Sequence, residues 1–209
     1  MNITKLVWAY IAERPSIRDC MKKGLVNHSE LARQICEHHK MDKFDACLIA
    51  CRRYAEKEAP KIDNENSIRD LMKTSKLRVR NKIMVAIIEK PRDMESVLVF
   101  EKNIRKKRGD INIIEGEDVV TVITNETYSD EVKEYFKSRV IRVTKGLAQV
   151  NMVFDERIES TSGVVSHVYS LLSEYGINIL EEMSCWTDLM LIIDEKDLAK
   201  SVNCLSQTS

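Results

Sequence analysis

Long apolar runs are missing from this chain: no uncharged stretch approaches the roughly 20 residues that a bilayer-spanning helix requires. The N-terminus also lacks an apolar signal-type segment, so the cytoplasm is the expected compartment and no membrane is expected as a partner. Glycine is scarce, with six residues in 209, each standing singly. A phosphate-cradling loop gathers several glycines in one turn, so nucleotide chemistry of that kind is excluded. Net charge is absent as well. The 33 Lys and Arg balance 33 Asp and Glu, which leaves no global field to attract nucleic acid. The balance is slightly uneven, with 11 basic against 8 acidic residues in 1–60 and 22 against 25 in the rest. The six cysteines show no framework spacing and fall on apolar helix faces or strand-like segments, which reads as reduced, buried thiols.

What is present begins with helices. Ile3, Val7, Tyr10 and Ile11 make one helical face, and Pro15 suits the first turn of a second helix that carries Ile17, Cys20 and Met21 and stops near Gly24. Asn27 with Glu30 forms a capping-box pattern at the start of a helix through His39, with Leu31 and Ile35 on its apolar side. After Lys40-Met41-Asp42, a helix from Lys43 to Lys57 buries Phe44, Cys47, Leu48, Cys51 and Ala55. Two helices joined by so short a turn have the outline of a helix-turn-helix, although the glycine common in that turn is missing. If this domain (1–59) touches DNA, Lys43, Arg52, Arg53 and Lys57 are the candidate contacts, since Arg reads guanine bidentately and both cations hold phosphates. Asp45, Glu56 and Glu58 share the exposed side and oppose that reading. Cys36, His38, His39, Cys47 and Cys51 crowd these helices, but Cys47 and Cys51 lie on the core stripe and their spacing does not suit zinc. No metal site is expected.

Polar residues 60–66 mark the domain boundary, and a short helix with Ile68, Leu71 and Met72 completes a linker region at 60–76. A strand over Leu77–Ile88 follows, and from it an order of elements occurs twice. The first pass (77–146) reads as strand, helix from Asp93 to Lys107 closed by Gly109, strands Ile111–Ile114 and Val119–Ile123, helix Ser129–Lys137 and strand Val140–Val143. The second (147–209) reads as strand Leu147–Phe154, the polar loop 155–162, a helix opened by Gly163, strands Ile177–Leu180 and Leu189–Asp194, and a helix over Asp197–Leu205. Val164, Val168, Leu171, Leu172 and Tyr175 form one apolar stripe on the loop's helix, and Gly176 ends it. No final strand follows. The bare edge left behind is expected to pair with the first unit or with a second chain, and a homodimer or higher homo-oligomer is expected.

The run Ser162-Gly163-Val164 through Tyr175-Gly176-Ile177-Asn178-Ile179 resembles the ACT domain, most closely the tandem regulatory end of aspartate kinases. The resemblance implies two ferredoxin-like βαββαβ units over 77–209, from which the second departs by lacking its last strand; with the N-terminal helix-turn-helix-like domain read above, the expected class is α+β. The resemblance also implies an amino-acid effector held between paired units. The residues suit such a ligand. Free N–H groups and the positive dipole end at Val164 favour a carboxylate, Ser160, Thr161 and Ser162 add hydroxyls, and Gly163 admits a close approach. Asp155, Glu156 or Glu159 would take the ammonium. The resemblance adds backbone groups of Asn178 and Ile179. The first unit's loop carries Pro91-Arg92 in place of small residues, and is the weaker site. The kinase part of that family has no counterpart here and no nucleophile–base pair stands out, so catalysis and cofactors are not expected. The expected function is amino-acid-responsive regulation, of transcription or, as the alternative, of a biosynthetic enzyme on which the helical domain docks.

Overall fold

The computed structural model describes residues 2–57 and 64–206, and the chain divides into two compact units, Met1–Asp63 and Asn64–Ser209. Pro60, Lys61, Ile62 and Asp63 of the expected boundary, Glu58 and the terminal Gln207, Thr208 and Ser209 lie outside the described residues. Among the described residues no helix is long and apolar enough to cross a membrane.

The first unit holds α1 (Ile3–Ala12), α2 (Pro15–Lys22), α3 (His28–His38) and α4 (Phe44–Lys57). Asn27 caps α3, its side-chain oxygen accepting from the amides of Ser29 and Glu30 at 3.0 and 3.2 Å. The return half of a capping box does not form, because Glu30 pairs with Arg33 instead. The turn that lacked glycine is closed by Lys40, which adopts φ +50° while the Met41 amide donates to the Cys36 carbonyl at 3.0 Å. Val7, Ile11, Leu31, Ile35, Cys47 and Cys51 fill the core of this unit. The histidines that crowded Cys36 in the sequence turn edge-on to Tyr10, with ring centroids at 5.2 and 6.0 Å for His38 and His39.

Cys36 and Cys47 bring their sulfurs to 3.5 Å. Burial pushes the Cys47 thiol up to about 12, helped by its bond to Cys36, and burial pushes Cys51 up to about 11. Both therefore stay protonated and unreactive near neutrality, since the thiolate is the nucleophile. Maleimide at pH 8 should alkylate exposed Cys20 and Cys185 first and spare Cys47, Cys51 and Cys204 until denaturant is added. Mass spectrometry of native protein that finds Cys47 or Cys51 modified as fast as Cys20 would contradict this account of the core.

The second unit runs α5 (Glu65–Thr74), β1 (Lys76–Glu89), α6 (Glu95–Lys106), β2 (Ile111–Glu115), β3 (Val119–Asn125), α7 (Ser129–Phe136), β4 (Val140–Val153), α8 (Val164–Glu174), β5 (Ile179–Cys185), β6 (Asp188–Asp194) and α9 (Leu198–Ser206). All six strands join one antiparallel sheet in the order β2-β3-β1-β4-β6-β5. The strands read as two separate units therefore share a sheet, and the boundary placed after residue 146 falls inside β4. Thr144-Lys145-Gly146 has the composition of a turn, yet the chain passes through it as a kink, with Gly146 at φ +72°. β1 carries the matching kink at Lys82, φ +55°, and its register against β4 shifts there.

Those kinks divide each long strand in two. Ile83–Glu89 of β1 pairs with β3 on one side, and Val85–Ile88 with the first half of β4 on the other. Lys76–Arg80 of β1 pairs with Val153–Gln149 of β4, the strand that opens the second pass. The strand that the second pass lacks thus comes from the start of β1, seventy residues earlier in the chain. One face of the sheet carries the helices. Met84, Ala86, Ile88, Val120 and Val122 bury against Val97, Phe100 and Ile104 of α6 and Val132 and Phe136 of α7. Ala148, Val150, Met152, Leu189, Leu191 and Ile193 bury against α5, α8 and α9. Each of these side chains other than the alanines contributes about 1.5–3 kcal/mol on removal from water. The other face is concave: Ile83, Val85, Ile123, Leu147 and Ile192 cluster there, and Asn112 of β2 reaches Met190 of β6 at 3.5 Å.

Two element ends differ from expectation. α6 is closed by Arg108 in the left-handed region at φ +61°, and Gly109 follows it. Gly109 lacks a side chain for packing reasons, because a Cβ there would lie 2.7 Å from both Ile104 and Tyr128. At the end of α8, Gly176 takes φ +66° and Ile177 donates its amide to Leu172, so β5 begins at Ile179 and Ile177 is a buried cap residue. Among the described residues, five other than glycine hold positive φ: Lys40, Lys82, Arg108, Lys137 and Trp186.

Candidate functional site

The loop before α8 is ordered by its own polar groups. Asp155 accepts from the Arg157 amide at 3.1 Å and from Arg157 Nε at 2.8 Å, starting a 3-10 turn over Glu156–Glu159. The same Arg157 contacts hold the Asp155 carboxyl below its ordinary range. Ser160 and Thr161 donate their hydroxyls to the Arg157 carbonyl at 3.2 and 2.8 Å. Asn64, one residue ahead of α5, donates to Ser162 Oγ at 2.8 Å. Gly163 is the N-cap of α8 at φ +96°, a conformation that favours glycine, and it supplies no side-chain cap to the helix amides. A Cβ at Gly163 would come within 3.3 Å of Ile68 on α5.

The loop residues expected to meet an effector lie together, and several of their side chains serve the loop itself. The hydroxyls of Ser160 and Thr161 face inward to the turn, and Asp155 is occupied by Arg157. Glu156 and Glu159 are exposed, and Val164 is buried in the core under α8. Asn178 and Ile179 follow the far end of α8, about 16 Å along the axis of an 11-residue helix. Within one chain they do not meet Ser162 and Gly163. Asn64 and Ile68 were not anticipated. Their only sequence signal was proximity to a domain boundary, which says nothing of a partner ninety-eight positions away.

Two other concave places adjoin the sheet. Lys90, Pro91, Arg92, Asp93, Ser96 and Arg139 line a cavity of about 380 Å³ at the start of α6, the counterpart of the α8 tip in the first pass. Lys90 is held by Glu115 at 2.7 Å and by the Gly116 carbonyl at 3.0 Å. A second cavity, of about 360 Å³, lies in the notch where β1 parts from β3 at its kink, and Arg80, Asp110, Asn112 and Gln149 are among its walls.

Lys43, just ahead of α4, and Arg52 and Arg53 on it are exposed, while Lys57 lies over the Trp8 ring at 4.6 Å. Ile49 is 51% exposed one turn before Arg52 and Arg53. Tyr169 of α8, half-buried, donates to Glu182 of β5, and burial with that bond pushes its hydroxyl up to about 12.

No family model matches the chain, and no curated protein matches it. Solved structures do. Aspartate kinase from Clostridium acetobutylicum, described as an allosteric enzyme, superposes with a TM-score of 0.55 at 14% identity over 63% of this chain and 34% of that one. The ligand-free regulatory subunit of aspartate kinase from Thermus thermophilus gives 0.52 at 13% identity over 65% of this chain and 97% of that one. Aspartokinase III of E. coli, in complex with aspartate and ADP, gives 0.51 at 14% identity over 63% and 32%. This chain thus spans about a third of the whole kinases it matches and nearly all of the separate regulatory subunit. What is shared at such identity is the fold, that of the ACT-domain regulatory modules of aspartate kinases.

Proposed function

We propose that this protein is a non-catalytic regulator that responds to a free amino acid. The observation that carries this reading is the likeness in fold to a regulatory subunit across nearly its whole length, against a third of each complete kinase. The effector would sit at the tip of α8. Uncapped amides at Val164 and after it meet its carboxylate, Glu156 or Glu159 its ammonium, and Ser162 exchanges Asn64 for the ligand. Asn178 and Ile179 would come from a second copy in a homo-oligomer, since one chain holds them at the other end of α8. Releasing Asn64 frees the start of α5, the first element after the unit boundary, which offers a route by which the effector reaches the helical unit. Coupling of this kind requires different affinity for two arrangements, typically about 1–3 kcal/mol.

The output we assign to the helical unit is DNA binding through Lys43 ahead of α4 and Arg52 and Arg53 on it, with Lys57 positioned by Trp8. Exposed Ile49 beside the two arginines favours a second reading, docking on a biosynthetic enzyme, because an apolar side chain belongs to a protein interface more readily than to a phosphate backbone.

A thermal-shift screen of the full chain against the twenty amino acids tests the sensor. One of them at a hundredfold excess over its Kd should raise Tm by about 5–10 °C through mass action. A flat response to all twenty would remove the reading. For the output, retention on duplex should weaken with salt and in Arg52→Ala and Arg53→Ala. Indifference to duplex, with a co-purifying enzyme, selects docking.

A further inference from the structure

The side chain of Gln149, 5% exposed on the concave face of β4, makes no hydrogen bond to the described residues, while its backbone pairs with Arg80 of β1 and Ile192 of β6. A carboxamide has two donors and an acceptor, and those of Gln149 are left for whatever fills the space beside it. It borders the cavity of about 360 Å³ in the notch between β1 and β3. Two residues further along the same face, Asn151 Oδ1 is also buried without a partner. Across the cavity, Asn112 donates only to the sulfur of Met190, a weak acceptor. Of these three, the carboxamides of Gln149 and Asn112 line the hollow with hydrogen-bonding capacity to spare, while Asn151 lies outside it and donates to Asp188 at 3.4 Å.

The rim supplies charge of both signs. Arg80 of β1 and Asp110 before β2 form an ion pair at 2.9 Å with side chains 50% and 68% exposed. A third feature is the backbone of β1 between Val79 and Asn81. Its one edge pairs with β4, and no strand lies opposite the other until β3 joins at Ile83. No aromatic ring lines the hollow, which argues against a base or other stacked ligand.

We propose that this notch is a binding site for a free α-amino acid with a hydrogen-bonding side chain. An ion pair presents the two signs side by side, which is the complement of a zwitterion: the carboxylate lies on Arg80 and the ammonium on Asp110. The ligand's polar side chain reaches inward to the carboxamides of Gln149 and Asn112, and the free edge of β1 offers backbone groups to its α-carbon end. The ligand class rests on the amino-acid reading above, but the place does not, since it is a different site from the tip of α8.

Calorimetric titration of the full chain with L-glutamine, L-asparagine and L-serine tests the assignment, in wild type, Gln149→Leu, Arg80→Ala and Ser162→Ala. Binding by at least one of the three should weaken about tenfold or more in Gln149→Leu and in Arg80→Ala, and be unchanged in Ser162→Ala. Arg80 is exposed, so its variant folds even if Gln149→Leu does not. Affinity unchanged in both notch variants overturns the notch, and if Ser162→Ala then abolishes binding, the tip of α8 remains as the sensor. Failure of all three to bind wild type overturns the notch, and the thermal-shift screen of all twenty then decides whether the tip of α8 survives.

Discussion

A fragment of residues 147–209 should be unfolded alone, although it holds every strand and helix of the second pass. In the intact chain its first strand lies between β6 and the start of β1, and that second neighbour is Lys76–Arg80. Removing it strips one ladder from Gln149–Val153 and takes Leu77 from the core. Loss of α5 also removes Leu71 and Met72, which are 1% and 3% exposed in the same core. A unit of some sixty residues is marginal even when whole, because it buries only about 60% of the surface its unfolded chain exposes. Residues 64–209 should fold cooperatively, and a peptide of 64–82 added in trans should restore structure to 147–209. Far-UV circular dichroism and amide dispersion in proton NMR report the outcome. A dispersed, native-like spectrum from 147–209 alone would mean that the second pass is self-sufficient and that the β1 pairing is dispensable.

Phe100→Ala should cost about 3–5 kcal/mol, the range for emptying a well-packed aromatic site. Phe100 is 1% exposed beneath α6 and touches the rings of Tyr135 and Phe136, both with centroids at 5.0 Å. Those rings belong to α7, so the cavity would loosen the contact between the two helices over the first half of the sheet. The alternative to collapse is poor, because α6 is also anchored by Val97 and Ile104, both fully buried. In urea the transition of 64–209 should move to lower denaturant with its slope unchanged. A loss under 1 kcal/mol would show that the site relaxes around the missing ring and that this core is not closely packed.

The helices were legible because each carries its own signal: Pro15 at a first turn, Asn27 as a cap, and the stripe from Val164 to Leu172. The order strand-helix-strand-strand-helix, and with it the likeness to ACT modules, was legible for the same local reason. Pairing was not. Nothing near Thr144-Lys145-Gly146 tells that two apolar runs are one strand, since a kink and a turn share a composition. That the start of β1 serves the second pass depends on register between residues some seventy positions apart. The candidate site divides in the same way. The loop 155–163 was visible as a polar interval before an apolar stripe, but the use of its hydroxyls on Arg157 depends on a 3-10 turn that has no periodicity to read. The notch was hidden further. Gln149 and Asn151 do alternate with apolar neighbours, but only the curl of the sheet reveals that Gln149 faces a hollow.

Four of the five non-glycine residues at positive φ are Lys or Arg, at positions 40, 82, 108 and 137. A side chain with a Cβ loses about 1–2 kcal/mol in that region relative to glycine. Lysine and arginine have no short polar group to offset the strain locally, as asparagine has. The chain therefore folds with unused thermal tolerance built into its joints, and an engineer seeking a sturdier protein has four places to begin without touching either hollow or helix tip. Lys82 is the exception to treat with care, because it also reaches Glu195 at 3.2 Å across the seam of the sheet.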